Sequence, residues 1–444
     1  MRYVPHTDED RAEMLAAIGA TDLDDLFQDV PDELRLKQPL GIPESLDEHA
    51  LMKYMGGLAA ESKPSSHLTC FLGAGCYDHF IPATVGTVIS RGEFLTSYTP
   101  YQPELSQGYL QTIYEFQSMI CELTGMDVTN ASLYDGATAL AEGALLAVGE
   151  TGRNRILASE AIHPHYRQVV KTMAWSADCE YEEIPAEGGA THIAGIGDDV
   201  ACVLLQYPNF FGVIEDARGA VSAAHDAGAL AVCCSDPIAL GVLNPPGAFG
   251  ADVVVGEGQP LGSAMGFGGP LLGLFSVKRE HVRRLPGRVV GVTQDSEGRR
   301  GFVMTLRTRE QDIRREKATS NICTNQALVA LAATVYMTAL GKRGFRQVAE
   351  DCVRNAHYAA ERLTAVPGVC LKFPNKPFAF EFVLELPRPA AEVRDALVEK
   401  GILAGLPLGD YYPGTENCLL TCVTEVRTKD EIDGFAEALK EVLS

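Results

Sequence analysis

Between about residues 66 and 325, short apolar β-favouring runs alternate with amphipathic stretches, and this alternation restricts the fold more than any other feature. The runs include RILAS (155–159), VACVLLQYP (200–208), LAVCCSD (230–236) and ADVVVGE (251–257). Between them lie GATALAEGALLAVG (136–149), HYRQVVKTMAWS (165–176) and ARGAVSAAHDAG (217–228). A strand that is apolar at almost every position must be covered on both faces. The pattern therefore predicts an α/β fold whose sheet is mostly parallel, flanked by helices and wound through right-handed crossovers. At roughly 150 residues per domain, a chain of 444 residues implies two to three structural units. A chain of that length can bury a sizeable core without disulfides or metals.

The flanks differ in character. Residues 1–65 are expected to form a helical and extended arm. Thr7 is placed to cap a helix through DEDRAEMLAAIG that ends at Gly19, and Asp22 to cap a second, short one. The proline-containing stretches at 31–43 suit an extended arm lying over a neighbour. HALMKYMGGLAAE (49–61) carries Leu51, Met52, Met55 and Leu58 at helical spacing. Residues 66–325 form the large domain. Residues 326–444 are expected to supply a linking helix (NQALVALAATVYMTALG, 325–341) and a small α+β domain. That domain has strands in VCLKFP (369–374), AFEFVLELP (379–387) and ENCLLTCVTEV (416–426). Its helices lie in PAAEVRDALVEKG (389–401) and KDEIDGFAEALKEVL (429–443).

Composition excludes some function classes. A formal charge of −22 argues against a nucleic-acid partner, which would require a lysine and arginine excess. The charge reads mainly as a solubility feature, although a docking surface for a basic partner stays open. The 12 cysteines include no C-x-x-C pair and sit in apolar runs, as expected of buried free thiols in a reducing compartment. The first residues, MRYVPHTDEDRAEM, contain no apolar core of a secretory signal. No apolar run approaches the ~20 residues of a spanning helix. The expectation is a cytoplasmic protein without membrane contact.

Three features of the large domain bear on chemistry. SLYDGATAL (132–140) opens a helix at Gly136, where backbone N–H groups and the Thr138 hydroxyl can cradle an anion; a plain cap by Asp135 is the alternative. His163, in HPH (163–165), follows a strand and starts a helix, where it can stack on a cofactor ring or simply begin the helix. A metal is not expected, because no nearby acid or cysteine completes a ligand set. Asp236 closes LAVCCSD at the carboxyl end of a strand, where open α/β sheets bind ligands. There it can pair with a pyridinium nitrogen or cap a turn. Cradle, histidine and strand-end aspartate occur in the order found in aspartate-aminotransferase-like pyridoxal-phosphate (PLP) enzymes. Such an enzyme needs a Schiff-base lysine at the end of a later strand. The corresponding segment, GADVVVGEGQPLGSAMGFGGP (250–270), has none, and no lysine lies between Lys171 and Lys278. Gln259 stands at or beside the expected position, and an amide is not a nucleophile.

Longer motifs carry a resemblance. FLGAGCYDHFIP (71–82), YTPYQPELSQG (98–108), GEGQPLGSAMGFGGP (256–270) and TLRTREQDIRREKATSNICTNQAL (305–328) are similar to signatures of the glycine-cleavage-system P protein. Specifically, they resemble the first of the two subunits found where that protein is split. The resemblance extends from the arm to TEVRTKDEID (424–433). It implies the aspartate-aminotransferase-like, fold type I architecture. It implies decarboxylation of glycine on PLP and transfer of the aminomethyl group to the lipoyl arm of the H protein. It further implies a second subunit that holds PLP covalently on its own lysine, and a dimer of heterodimers.

On that resemblance, this chain has no catalytic residue of its own. Tyr98, Thr99, Tyr101 and Gln102, with Asn321 and Thr324, are expected to reach the partner's active site. A tyrosine there can pack apolar surface and hydrogen-bond a ligand. Gly136, Thr138, His163 and Asp236 would mark a vestigial cofactor cleft, empty or only weakly occupied. Of Arg307, Arg309, Arg314 and Arg315, read at helical spacing, one at most is expected to face substrate, the others serving the interface or meeting acids such as Glu310 and Glu316. Two other readings stand beside this one: an independent PLP-dependent lyase using an unrecognised lysine, and a scaffold that never touches the site.

Overall fold

The computed structural model of the protein describes residues 5–193 and 195–444, without the Ser66 side chain. The chain divides after Lys63 into two compact units. In the first, α1 (Asp8–Ala17) begins at a reciprocal cap. Asp10 N–H donates to Thr7 Oγ1 at 3.1 Å, and the Asp10 carboxylate accepts from Thr7 N–H at 2.7 Å. The chain leaves the helix through Gly19, whose φ of +74° suits a residue without Cβ. The second expected helix is only a 3₁₀ turn, Asp24–Phe27. The Asp25 carboxylate takes the N–H groups of Thr21 and Asp22, and such local bonds compete with a longer helix. Residues 31–43 form turns and irregular backbone, and α2 (Glu48–Ala60) is capped by Asp47.

The second unit is built on a seven-stranded sheet. In chain order, α3 (Gln107–Thr124) precedes β1 (Val128–Thr129). Next come α4 (Gly136–Thr151), β2 (Arg155–Ser159), α5 (Pro164–Ser176) and β3 (Glu180–Ile184). They are followed by β4 (Val200–Tyr207), α6 (Ala217–Asp226), β5 (Leu230–Ser235), β6 (Val253–Glu257) and β7 (Gly273–Val277). The spatial order is β1-β7-β6-β5-β4-β2-β3. The five strands from β6 to β3 run parallel, and β7 and β1 form an antiparallel edge. Strand alternation divides the core. Val253 and Val255 pack with Leu140 and Ala144 of α4, while Val254 packs on the opposite face with Val221 and Ala224 of α6.

A hairpin of β8 (Val289–Gln294) and β9 (Arg300–Thr305) stands apart from this sheet. α7 (Ala327–Thr364) then leads to the smaller sheet. The linking helix, expected over 325–341, does not end at Gly341: that residue is a break with φ 61° and ψ 178°, after which helix resumes and continues to Thr364. β10 (Cys370–Leu371), β11 (Glu381–Glu385), α8 (Ala390–Val398), β12 (Leu406–Pro407), β13 (Cys418–Cys422) and α9 (Lys429–Leu443) complete the α+β portion. Its strands pair antiparallel in the order β10-β11-β13-β12. Residues 69–70 pair with 402–403, which ties the segment after the arm to this portion.

All 12 cysteines are free. Cys323 and Cys370 are exposed, so the expectation of buried thiols does not extend to them. Among the described residues, no helix is long and apolar enough to cross a membrane.

Candidate functional site

The four expected cleft residues belong to the carboxyl-end side of the parallel strands. Asp236 follows β5, His163 lies beyond β2, and Gly136 and Thr138 start α4. Gln259 lies two residues beyond β6. The cavity there is lined by Gly75, Tyr77, His163, Tyr166, Asp236 and Glu257, among others, and measures about 30 Å³. That holds about two waters and is an order of magnitude below the ~300 Å³ of small ligand pockets.

Protein carboxylates take the N–H groups that an anion would need. At the cradle, Gly136 N–H donates to Glu257 Oε2 at 2.9 Å, and Thr138 N–H to Asp135 Oδ1 at 2.7 Å. Glu257 Oε1 also accepts from Gln259 N–H at 2.9 Å and Leu272 N–H at 2.8 Å. A carboxyl group thus sits at the helix N-terminus where a phosphate would sit. Burial pushes its pKa up to about 7 against the pull of those three donors. A Cβ on Gly136 would come within 2.7 Å of Tyr166 Oη and 3.1 Å of the Glu257 nitrogen, so the turn has no spare volume.

His163 is turned to structural use. Its Nδ1 accepts from His165 N–H at 3.1 Å, which leaves Nε2 to donate to the Ala74 carbonyl at 2.9 Å. Its ring stacks on Tyr166 at 4.7 Å and meets the edge of Phe210 at 4.8 Å. Burial pushes its pKa down to about 4, so it is neutral at pH 7. Asp236 accepts from Ala239 N–H at 2.8 Å, the turn-capping role, and burial pushes its pKa up to about 6.

Gln259 is buried and fully bonded. Its Oε1 accepts from Tyr77 N–H at 2.9 Å, and its Nε2 donates to Tyr77 O at 3.1 Å and Ser263 O at 2.7 Å. It thereby holds residues 73–77 over the strand ends. Glu381 of β11 grips the same loop, accepting from Ala74 N–H at 2.7 Å and from Tyr77 Oη at 2.9 Å. Burial raises the Glu381 pKa to about 7. Asp236 and Glu257 line this cavity, and Glu381 lines a neighbouring one of about 20 Å³ together with Asp236. Neither flanking lysine can serve. Lys278 follows antiparallel β7, at the opposite end of the sheet, and pairs with Asp252 at 2.5 Å. Lys171 is an exposed residue of α5. The residues of this cleft do not fit PLP.

Two groups among the described residues have metal-ligating types close together: His79, Cys352 and Glu425, and Asp252, Glu280 and His281. Neither includes His163 or His165. Glu425 is already engaged by His79 Nδ1 at 2.7 Å and Cys352 Sγ at 3.3 Å, and Asp252 by Lys278.

The second set of expected residues lies outside this cleft. Tyr98 is 84% exposed, on irregular backbone shared with Thr99, Tyr101 and Gln102. Thr99 is half-buried, and Tyr101 and Gln102 are exposed. Asn321 is exposed and Thr324 half-buried on the irregular 318–326 segment. The structure connects Tyr101 to Thr324 through Arg288, a residue with no sequence signal beyond its place before a strand. Arg288 donates to Thr324 Oγ1 and Asn325 Oδ1, each at 3.2 Å, and to Cys323 O at 3.1 Å. Its guanidinium carbon lies 5.9 Å from the Tyr101 ring centroid, and that of Arg307 lies 5.0 Å away.

The arginine run is not a continuous helix. It breaks into a 3₁₀ turn Arg307–Arg309, a single turn Gln311–Arg314 and a 3₁₀ turn Arg315–Lys317, with left-handed φ at Leu306 and Arg315. Arg307 pairs loosely with Asp312 at 3.7 Å. Arg309 donates to Gly287 O at 3.0 Å and Arg314 to Thr308 O at 3.2 Å.

Residues 1–439 match the family described as "Glycine cleavage system P-protein". The chain belongs to that family. A P-protein relative from Geobacillus kaustophilus, named "Probable glycine dehydrogenase (decarboxylating) subunit 1", is 53% identical over 442 residues, covering 99% of this chain and 98% of its own. A solved P protein, glycine decarboxylase of the glycine cleavage system in inhibitor-bound form, superposes with a TM-score of 0.92 at 48% identity, covering all of both chains. A Burkholderia pseudomallei sphingosine-1-phosphate lyase matches at TM-score 0.64 and 15% identity over 92% of each chain, a likeness of fold alone. This P-protein chain has the aspartate-aminotransferase-like, fold type I architecture expected from its sequence.

Proposed function

We propose that this chain is the first subunit of a two-chain glycine dehydrogenase (decarboxylating), the P protein of the glycine cleavage system. With its second subunit it decarboxylates glycine on PLP and passes the aminomethyl group to the lipoyl arm of the H protein. The observation that carries this reading is the cramped, lysine-free cleft in a member of this family. The space between His163 and Asp236 is about 30 Å³, and Gln259 holds the loop that fills it. The covalent chemistry then belongs to a chain that carries the lysine. This chain lends Tyr98, Thr99, Tyr101 and Gln102, with Asn321 and Thr324, to the partner's site. The exposure of Tyr98 favours that role over a pure scaffold, because a phenol ring at 84% exposure is free to enter another surface. The complex is a dimer of heterodimers working in the cytoplasm.

The test is reconstitution. This chain co-expressed with a lysine-bearing second subunit should decarboxylate glycine in the presence of lipoylated H protein, and each chain alone should not. In that pair, Tyr98→Phe and Tyr101→Phe should lower turnover. If neither does, the scaffold reading replaces the shared site.

A further inference from the structure

Arg288 occupies a position that the fold alone does not explain. It stands immediately before β8 and is 7% exposed. A buried guanidinium is costly unless a counter-charge stands beside it. The described hydrogen bonds of Arg288 all go to neutral oxygens, those of Cys323, Thr324 and Asn325, and its Nε–H is buried without a partner. Arg307 shares the Tyr101 ring with it, and its Nε–H is likewise buried and unpartnered. Two cations drawn to one ring repel each other. The acids nearby are Asp312, loosely paired to Arg307, and half-buried Glu310, which feels Arg288, Arg307 and Arg309 together. Three arginines against two carboxylates leave this corner net positive. If Arg288 served only to hold the loops, a neutral amide could donate similar hydrogen bonds without the cost of burying charge.

We infer that Arg288 is a positioning residue for the shared site. It ties Tyr101 to the 321–325 segment, and with Arg307 it holds positive charge for an anionic group of the ligand handled there. That group is a carboxylate or a phosphate, the first carried by glycine and the second by PLP. The inference rests on the reading that Tyr101 and Thr324 reach the partner's site.

The experiment uses the reconstituted two-chain enzyme with Arg288→Gln and Arg288→Lys in this chain. PLP affinity is measured by titration, and KM for glycine is measured at saturating PLP. With Gln, one of the two constants should rise about tenfold or more, with a smaller change in kcat, and Lys should recover part of the loss. A rise confined to the glycine KM assigns the carboxylate, and a rise in the PLP dissociation constant assigns the phosphate. An assembled Gln variant with both constants within about twofold of the unsubstituted pair overturns the inference. Failure of both variants to assemble also overturns it, because the role is then structural. If only the Gln variant fails to assemble, Lys decides: a raised constant supports the inference and unchanged constants overturn it. An unsubstituted pair that assembles but leaves glycine untouched overturns the functional reading itself, and this inference with it.

Discussion

At the scale of single residues, the position that most shapes the account is Gln259. The sequence has a glutamine at or beside the position where PLP chemistry needs a lysine. The structure adds that this amide is part of the closure, bonding both the N–H and the C=O of Tyr77. Restoring the lysine should therefore not restore cofactor binding. Gln259→Lys removes the acceptor of the Tyr77 N–H and buries a charge, and should destabilise the chain by roughly 2–5 kcal/mol. Urea unfolding would measure the loss, and a PLP titration of the folded variant should show no protein-bound aldimine band beyond the absorbance of free PLP. A stable variant that takes up PLP would refute the cramped cleft. The absent lysine was legible because absence can be read along one strand end. The closure was not, because Tyr77 and Glu381 reach Gln259 and Ala74 from distant parts of the chain. Arg288 was equally hidden, since one arginine before a strand has no signature and its partners lie 35 to 37 residues downstream.

At the scale of elements, the start of α4 is the informative piece. Its sequence allows a phosphate cradle or a plain cap by Asp135. The structure has the cap, with a second carboxylate, Glu257, on the Gly136 N–H. Exchanging glycine for alanine inside a helix ordinarily gains about 1 kcal/mol. Here Gly136→Ala should instead cost roughly 1–3 kcal/mol, because its Cβ meets Tyr166 Oη and the Glu257 backbone. A thermal melt of that variant checks the sign, and an unchanged or raised Tm would mean a looser cradle. Strands β2, β4, β5 and β6 were legible because their apolar runs are bounded by turn residues. The helical spacing of Arg307, Arg309, Arg314 and Arg315 does not correspond to a continuous helix, because charge spacing says nothing about backbone. Left-handed φ at Leu306 and Arg315 breaks the run, and Arg309 and Arg314 bond the carbonyl groups of Gly287 and Thr308. Gly341 was read as a helix end, but it is a break from which α7 resumes.

At the scale of the whole molecule, the buried acids link stability to pH, and the proposed function links activity to a partner. Glu381 bridges the small sheet to the loop over the large one, and burial lifts its pKa from 4.5 to about 7. A carboxyl group that protonates more readily when folded contributes its stability below the unfolded value, near 4.5, and loses it as pH rises through about 7. Glu257 and Asp236 act with the same sign, at about 7 and about 6. Glu381→Gln can keep both contacts, accepting from Ala74 N–H and donating to Tyr77 Oη, without titrating. Between pH 5 and pH 8 the unsubstituted chain should therefore lose roughly 3 kcal/mol more than this variant in urea unfolding. Parallel pH profiles would show that Glu381 is not buried as described. The central claim is that the chain acts only across an interface. Its most direct test is to incubate this chain, alone and paired with a lysine-bearing second subunit, with PLP, reduce with borohydride, and map the modified lysine by mass spectrometry. The expected result is a stoichiometric adduct on one lysine of the second subunit and only scattered background labelling on this chain in either sample. A stoichiometric adduct on one lysine of this chain alone, formed at one equivalent of PLP, would contradict it.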